Sequence, residues 1–170
     1  MGEKDIQFYF DPKGIEEVVP TDMISIKGGY SYSTILDFDG FIHKGINDIG
    51  IQYYPNMGST GVFAACMQNP NIMLRISDKE DLGYYSEDGG ITWEERESVG
   101  GFGGGKGAIT SLGYDKYRFF HASSNKIMYS DDYGKSWQNS TSIFGENFNI
   151  LVEETEPMIA YYYSYLKKQN

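Results

Sequence analysis

Two stretches decide how this chain is read: Ser86-Glu87-Asp88-Gly89-Gly90-Ile91-Thr92-Trp93 and Ser130-Asp131-Asp132-Tyr133-Gly134-Lys135-Ser136-Trp137. Both fit S-x-D-x-G-x-[ST]-W, and the tryptophans at 93 and 137 set a period of 44 residues. The chemistry explains the spacing. An Asp carboxylate accepts backbone N–H bonds across a tight turn, and Gly supplies the positive φ such a turn needs. The Ser or Thr hydroxyl ties the turn to a neighbouring strand, and the Trp packs its large apolar face between units. A repeat of this length predicts a four-stranded unit that cannot bury both of its faces alone, as in a β-propeller blade. Asp88 and Asp132 are therefore read as turn formers rather than as metal ligands or catalytic acids.

The phrase resembles the Asp-box of sialidase-like propellers, where it closes the hairpin between the third and fourth strands of a blade. Around the first copy the pattern predicts strands near 61–67, 71–76 and 82–86, then one after Trp93. Around the second it predicts strands at 107–113, 117–122 and 126–130, then one after Trp137. Asn69-Pro70-Asn71 and Tyr114-Asp115-Lys116 are the matching hairpin turns. A third copy begins at Phe148–Glu153, continues through Met158–Tyr163 and stops before any Asp-box. Upstream, Ile6–Phe10, Met23–Ser25 and Tyr30–Leu36 read as strands, and 45–58, with Pro55-Asn56, as a long shaped loop. The expected organisation is an all-β, incomplete β-propeller: an opening blade and loop over 1–60, Asp-box blades over 61–100 and 101–145, and a truncated blade over 146–170. About four to eight blades close a propeller. The reading is thus a fragment of a longer protein, with an open segment or assembly with another chain as the alternatives.

Composition agrees with this class. The chain has 170 residues, 15 Tyr, 10 Phe and 21 Gly, a bias toward strands and turns. Its net charge of −10 argues against a nucleic-acid partner and against anionic membranes, and leaves a neutral polymer compatible. The sequence shows no signal peptide and no apolar run long enough to span a membrane. Cys66 is the single cysteine and sits in the apolar run Val62–Met67, so a buried, inert thiol is expected.

Local candidates for chemistry are few. Asp37 and Asp39 read locally as a turn before Gly40. Tyr53 and Tyr54, in a polar loop, and Phe41 offer flat faces for sugar rings, though aromatics are also ordinary core material. His43 lies near these carboxylates, close enough in sequence to bond one of them or a sugar; His121 falls in a strand and reads as structural. Gly100–Gly107 nearly spells a phosphate loop but has Gly107 where Ser or Thr should hold magnesium, and a strand follows where a helix is needed. It is read as an interblade loop. No His/Cys grouping has metal-ligand spacing, so no metal or other cofactor is expected. The acids around Asp78–Asp81 read as a solvated turn.

A longer resemblance is more specific than the Asp-boxes. Gly14-Ile15-Glu16-Glu17, Met23-Ile24-Ser25, Leu36-Asp37-Phe38-Asp39-Gly40-Phe41-Ile42-His43, Asn56-Met57-Gly58-Ser59-Thr60 and Gln68-Asn69-Pro70-Asn71 follow in order. Together they resemble the opening of the second propeller in glycoside hydrolase family 74, the xyloglucanases and related endo-β-1,4-glucanases. The resemblance implies tandem propellers with a cleft between them, and inverting hydrolysis by one Asp from each. It implies Asp37 as the general acid, with Phe41, His43, Tyr53, Tyr54 and Asn56 as substrate-binding candidates and β-glucan or xyloglucan as partner. Leu36 and Asp39 depart from the family pattern, which keeps Asp39 open as the functional carboxylate. The base-bearing first propeller is absent from this chain, so the polypeptide alone is expected to be inactive. An extracellular location is implied by the resemblance alone. A non-catalytic propeller module binding glycans or proteins is the alternative. A sialidase would need an arginine triad, for which Arg75, Arg96 and Arg118 have no suggestive context.

Overall fold

A computed structural model describes residues 19–97, 105–123, 126–140, 148–152 and 160–164. The expected strand at 6–10, the turn over 14–18 and most of the Gly100–Gly107 stretch lie outside the described residues. Every regular element described is a β-strand.

Three consecutive four-stranded antiparallel meanders account for most of the described chain. The first joins β1 (Pro20–Ser25), β2 (Ser31–Ile35), β3 (Asp39–His43) and β4 (Ile51–Gln52) in that order. The second joins β5 (Thr60–Ala65), β6 (Met73–Ser77), β7 (Gly83–Ser86) and β8 (Glu94–Arg96). The third joins β9 (Lys106–Gly113), β10 (Lys116–Ser123), β11 (Lys126–Ser130) and β12 (Gln138–Asn139). A last hairpin pairs β13 (Phe148–Val152) with β14 (Ala160–Ser164). The leading strands lie side by side: β5 packs on both β1 and β9, and β9 packs on β13. Sheets whose first strands adjoin in this way radiate as propeller blades do.

The opening segment holds more strand than the expected turn before Gly40 and loop over 45–58. Asp39–His43 extends as β3, and the supposed loop over 45–58 contributes the short outer strand β4. Gly40 is what permits this: a Cβ there would stand 2.1 Å from the Ser33 carbonyl oxygen and 2.4 Å from the Tyr53 ring. The absent side chain lets two strands and an aromatic ring close on one another.

Apolar alternation supplies the core. Val62, Ala64, Leu74, Ile76, Tyr85, Ile109, Tyr117 and Phe119 fill the space between the second and third sheets. Tyr32, Tyr53, Phe63, Ala65 and Met73 fill that between the first and second, with Trp93 packed against them. Cys66 is buried, its thiol bonds Gln68 at 3.1 Å, and burial pushes its pKa up, as the inert reading expects.

Candidate functional site

The two Asp-boxes are nearly superimposable in their hydrogen bonds. The Ser86 hydroxyl donates to Asp88 at 2.8 Å and accepts from Gly90 N–H at 2.8 Å. The corresponding distances at Ser130, Asp132 and Gly134 are 2.7 and 2.9 Å. Thr92 gives Asp88 both its N–H, at 2.9 Å, and its hydroxyl, at 2.6 Å; Ser136 gives Asp132 the same pair at the same distances. Partial burial opposes ionisation at Asp88 and Asp132, but these donors outweigh it and hold both carboxyls below their usual range. Gly89, Gly90, Tyr133 and Gly134 take positive φ, the left-handed backbone the turn requires.

Strand direction sorts the remaining candidates. In each meander the second-to-third strand connection lies at one end, and the first-to-second and third-to-fourth connections at the other. Both Asp-boxes connect third to fourth strands, so they share one end. Asp37, in the β2–β3 connection, lies at the opposite end.

Leu36, Asp37 and Phe38 form a three-residue hairpin tip closed by the Ile35–Asp39 pair, with Asp37 at φ 71° and Asp39 at φ 67°. Asp tolerates this region better than most residues. The two carboxylates then part company. The Asp37 side chain is 63% exposed and meets Lys79 Nζ, from the β6–β7 connection, at 2.7 Å. Asp39 is fully buried. Its carboxylate accepts from Met57 N–H at 3.0 Å, from the Thr60 hydroxyl and from the Arg75 guanidinium. Arg75, itself fully buried, also donates to the Pro55 carbonyl. Its guanidinium carbon lies 4.6 Å from the Tyr84 ring centroid, 4.7 Å from that of Trp93 and 5.1 Å from that of Tyr53. A pair so enclosed is structural: both side chains are fully buried, and the guanidinium is held through its two terminal nitrogens while its Nε has no hydrogen-bond partner.

After β4 the chain returns toward the Asp37 end, carrying Tyr54 and Asn56 with it. Tyr54 is 84% exposed, and Asn56 accepts from Gly58 N–H at 2.7 Å, shaping the turn that follows. Gln52 donates to the Phe38 carbonyl at 2.9 Å, bracing the hairpin tip. Tyr53 differs from its expectation as a sugar platform. It is 2% exposed, stacks on Phe63 at 6.0 Å and donates to the Ser33 carbonyl at 3.0 Å. Burial pushes its phenol upward in pKa.

His43 also differs. It stands at the far end of β3 from Asp37, bonds the Ser33 hydroxyl at 2.9 Å through Nε2, and lines a groove of about 440 Å³ with Met23, Ser31 and Lys44. Phe41 is half-buried midway along β3, 6.4 Å from the His43 ring. The structure therefore gathers Asp37, Tyr54 and Asn56 at one end and leaves His43 at the other. Arg96 donates to the Tyr133 carbonyl at 2.7 Å and Arg118 pairs with Asp131, so these arginines and Arg75 serve separate places. Among the described residues, no cluster of three or more His, Cys, Asp or Glu is placed to hold a metal.

Sequence reasoning missed Lys79 and Arg75. Lys79 was hidden in an acidic turn. Arg75 carried one visible signal, a cation inside the apolar run Ile72-Met73-Leu74-Arg75-Ile76, which predicts a buried partner without naming it.

Comparison with known proteins fits this architecture. The BNR/Asp-box repeat model matches residues 84–95 and 128–139. The crystal structure of the Niastella koreensis GH74 enzyme is 28% identical with a TM-score of 0.70, over 84% of this chain and 20% of that one. The GH74 xyloglucanase from Xanthomonas campestris is 26% identical with a TM-score of 0.68, over 83% of this chain and 21% of that one. A structure of YCF48 bound to D1 peptide shares the fold alone, at 13% identity and a TM-score of 0.54, over 90% of this chain and 56% of that one. No curated protein matches the sequence. The chain is thus an Asp-box β-propeller segment similar to part of the GH74 glycoside hydrolases, spanning about one fifth of their length.

Proposed function

We propose that this chain contributes the acid half of a β-1,4-glucan hydrolase site, acting on xyloglucan-like polymers outside the cell. Asp37 is the general acid. Its carboxyl gives a proton to the glycosidic oxygen, while a carboxylate from a separate propeller, about 6.5–9.5 Å away, activates the attacking water. Tyr54 offers a face for a sugar ring beside it, and Asn56 shapes the floor. In this reading hydrolysis requires that base-bearing propeller as well as Asp37.

One observation carries this reading. Of two carboxylates two residues apart, Asp39 is locked beneath the surface by Arg75, and Asp37 is left exposed on the hairpin that Asp39 anchors. An acid catalyst needs that combination of a fixed backbone and a reachable oxygen. The likeness to GH74 enzymes supports the substrate class.

The test is hydrolysis of xyloglucan by this chain alone, and mixed with the base-bearing propeller of a related enzyme. Activity in the mixture only, lost in Asp37→Ala and kept in Phe38→Ala, is the expected result. Equal activity of Asp37→Ala and the parent mixture would overturn it. The second reading, a glycan-binding module without catalysis, is favoured by the exposed Tyr54 ring. It predicts glucan binding by the folded chain with no hydrolysis in any mixture.

A further inference from the structure

We propose that Lys79 is a displaceable positioning residue for Asp37: it holds the carboxylate from the neighbouring blade and must be released when a neutral glucan engages it. This inference rests on the reading of Asp37 as the group that meets the glucan.

The Asp37 backbone is set by a three-residue hairpin and braced by Gln52, and its N–H makes a long contact, 3.4 Å, to the Ser59 hydroxyl. Among the described residues, the polar contact that orients its carboxylate is Lys79 Nζ. The Lys79 backbone is fixed as well. The Ser77 hydroxyl accepts from both Lys79 and Glu80 N–H at 3.2 Å, and Ser77 N–H bonds the Leu82 carbonyl at 2.9 Å. Two anchored backbones thus present two side chains, 61% and 63% exposed, to one another across the blade junction.

Exposure decides what such a pair does. In water it adds little to stability, so the long Lys side chain leaves at small cost. While paired, it occupies the carboxylate oxygen to which a glucan hydroxyl would donate. The hydrogen bond to Asp37 raises the Lys79 ammonium's pKa, so release comes from competition or screening and not from deprotonation. A neutral glucan has no charge of its own for salt to screen. Any ionic-strength dependence of its binding therefore reports on charges of the protein, and this pair is the one at the hairpin tip.

The experiment titrates a xyloglucan oligosaccharide into the 170-residue chain at low and high sodium chloride, with the folded state checked by its NMR spectrum. The wild-type chain is expected to bind about two- to fivefold more tightly at high salt, the range an exposed ion pair can account for. Lys79→Met is expected to bind at low salt as the wild type does at high salt, with no further response. Lys79→Arg should restore the salt response, and Asp37→Asn should abolish it. A Lys79→Met chain that keeps the full wild-type salt response would overturn the inference and leave the glucan reading standing. No binding by the folded wild-type chain would overturn both.

Discussion

The second and third blades carry the same Asp-box on different foundations. Hydrogen bonds from Ser, Thr or Ser and the turn backbone to Asp88 and Asp132 agree to within about a tenth of an ångström, a difference far inside ordinary hydrogen-bond scatter. Beneath them the register places Arg75 opposite Phe63 and Tyr84, and His121 opposite Gly107 and Met128. Each lies two residues beyond the partner of the Asp-box serine, and each meets the Asp-box tryptophan: Arg75 over the face of Trp93, His121 at 6.1 Å and near right angles to Trp137. Even the indole differs, since Trp137 donates to the Gly134 carbonyl at 3.1 Å while Trp93 Nε1 is covered without such a bond. The turn is a self-contained local device and indifferent to its core. What distinguishes one blade from the next is the non-repeated residue underneath, and in the second blade that residue reaches into the first.

Substitutions can break this comparison at different depths. The largest effect is expected at Arg75. Arg75→Ala leaves the Asp39 carboxylate buried without its cation and should cost about 3–5 kcal/mol in urea unfolding, while Arg75→Met with Asp39→Asn, which suits the positive φ and keeps the acceptor for Met57 and Thr60, recovers part of it. A single-mutant loss under about 1 kcal/mol would mean the pair is not the buried link described. Next comes the coupling to tryptophan. A double-mutant cycle between Arg75 and Trp93 should give about 2 kcal/mol, as for a desolvated cation over an indole, against about 1 kcal/mol between His121 and Trp137. Equal couplings would erase the distinction between the two blades.

The Asp-boxes should respond alike. Asp88→Asn and Asp132→Asn are each expected to cost about 1 kcal/mol at neutral pH, through lost bonds to the turn. Because both folded carboxyls titrate below their reference value of 3.8, this contribution is complete above that pH and fades as pH falls through the lower folded pKa. Wild-type and mutant unfolding midpoints should therefore converge in acid, and midpoints that stay apart below that range would contradict the assignment. The smallest effect belongs to Lys79: Lys79→Met should leave the unfolding midpoint unchanged, because its pair with Asp37 is exposed to water.

The Asp-box blades were legible in the sequence because their determinants are local. A turn phrase, apolar alternation and hairpin residues all lie within one repeat. The first blade was less so. Asp37 and Asp39 read as a turn before Gly40, and a hairpin does close there, but its continuation as a strand through His43 depends on the close approach of Ser33 and Tyr53 to Gly40. Tyr53 looked exposed because its loop lacks periodicity; its burial comes from Phe63 and Trp93, residues of the next blade. The different surroundings of Asp37 and Asp39 come from Arg75, 36 positions from Asp39, and from Lys79, 42 positions from Asp37. No local pattern encodes pairings at that range.

Arg75 also has a mechanical consequence. It passes from the second sheet into the first like a bolt, one terminal nitrogen of its guanidinium seated on Asp39 and the other on the Pro55 carbonyl. Across the next junction the polar ties are of another kind, such as Asn69 to the Tyr117 hydroxyl and Arg96 to the Tyr133 carbonyl. Under a pulling force the second and third blades should part first, and the first two should travel together as one rigid piece.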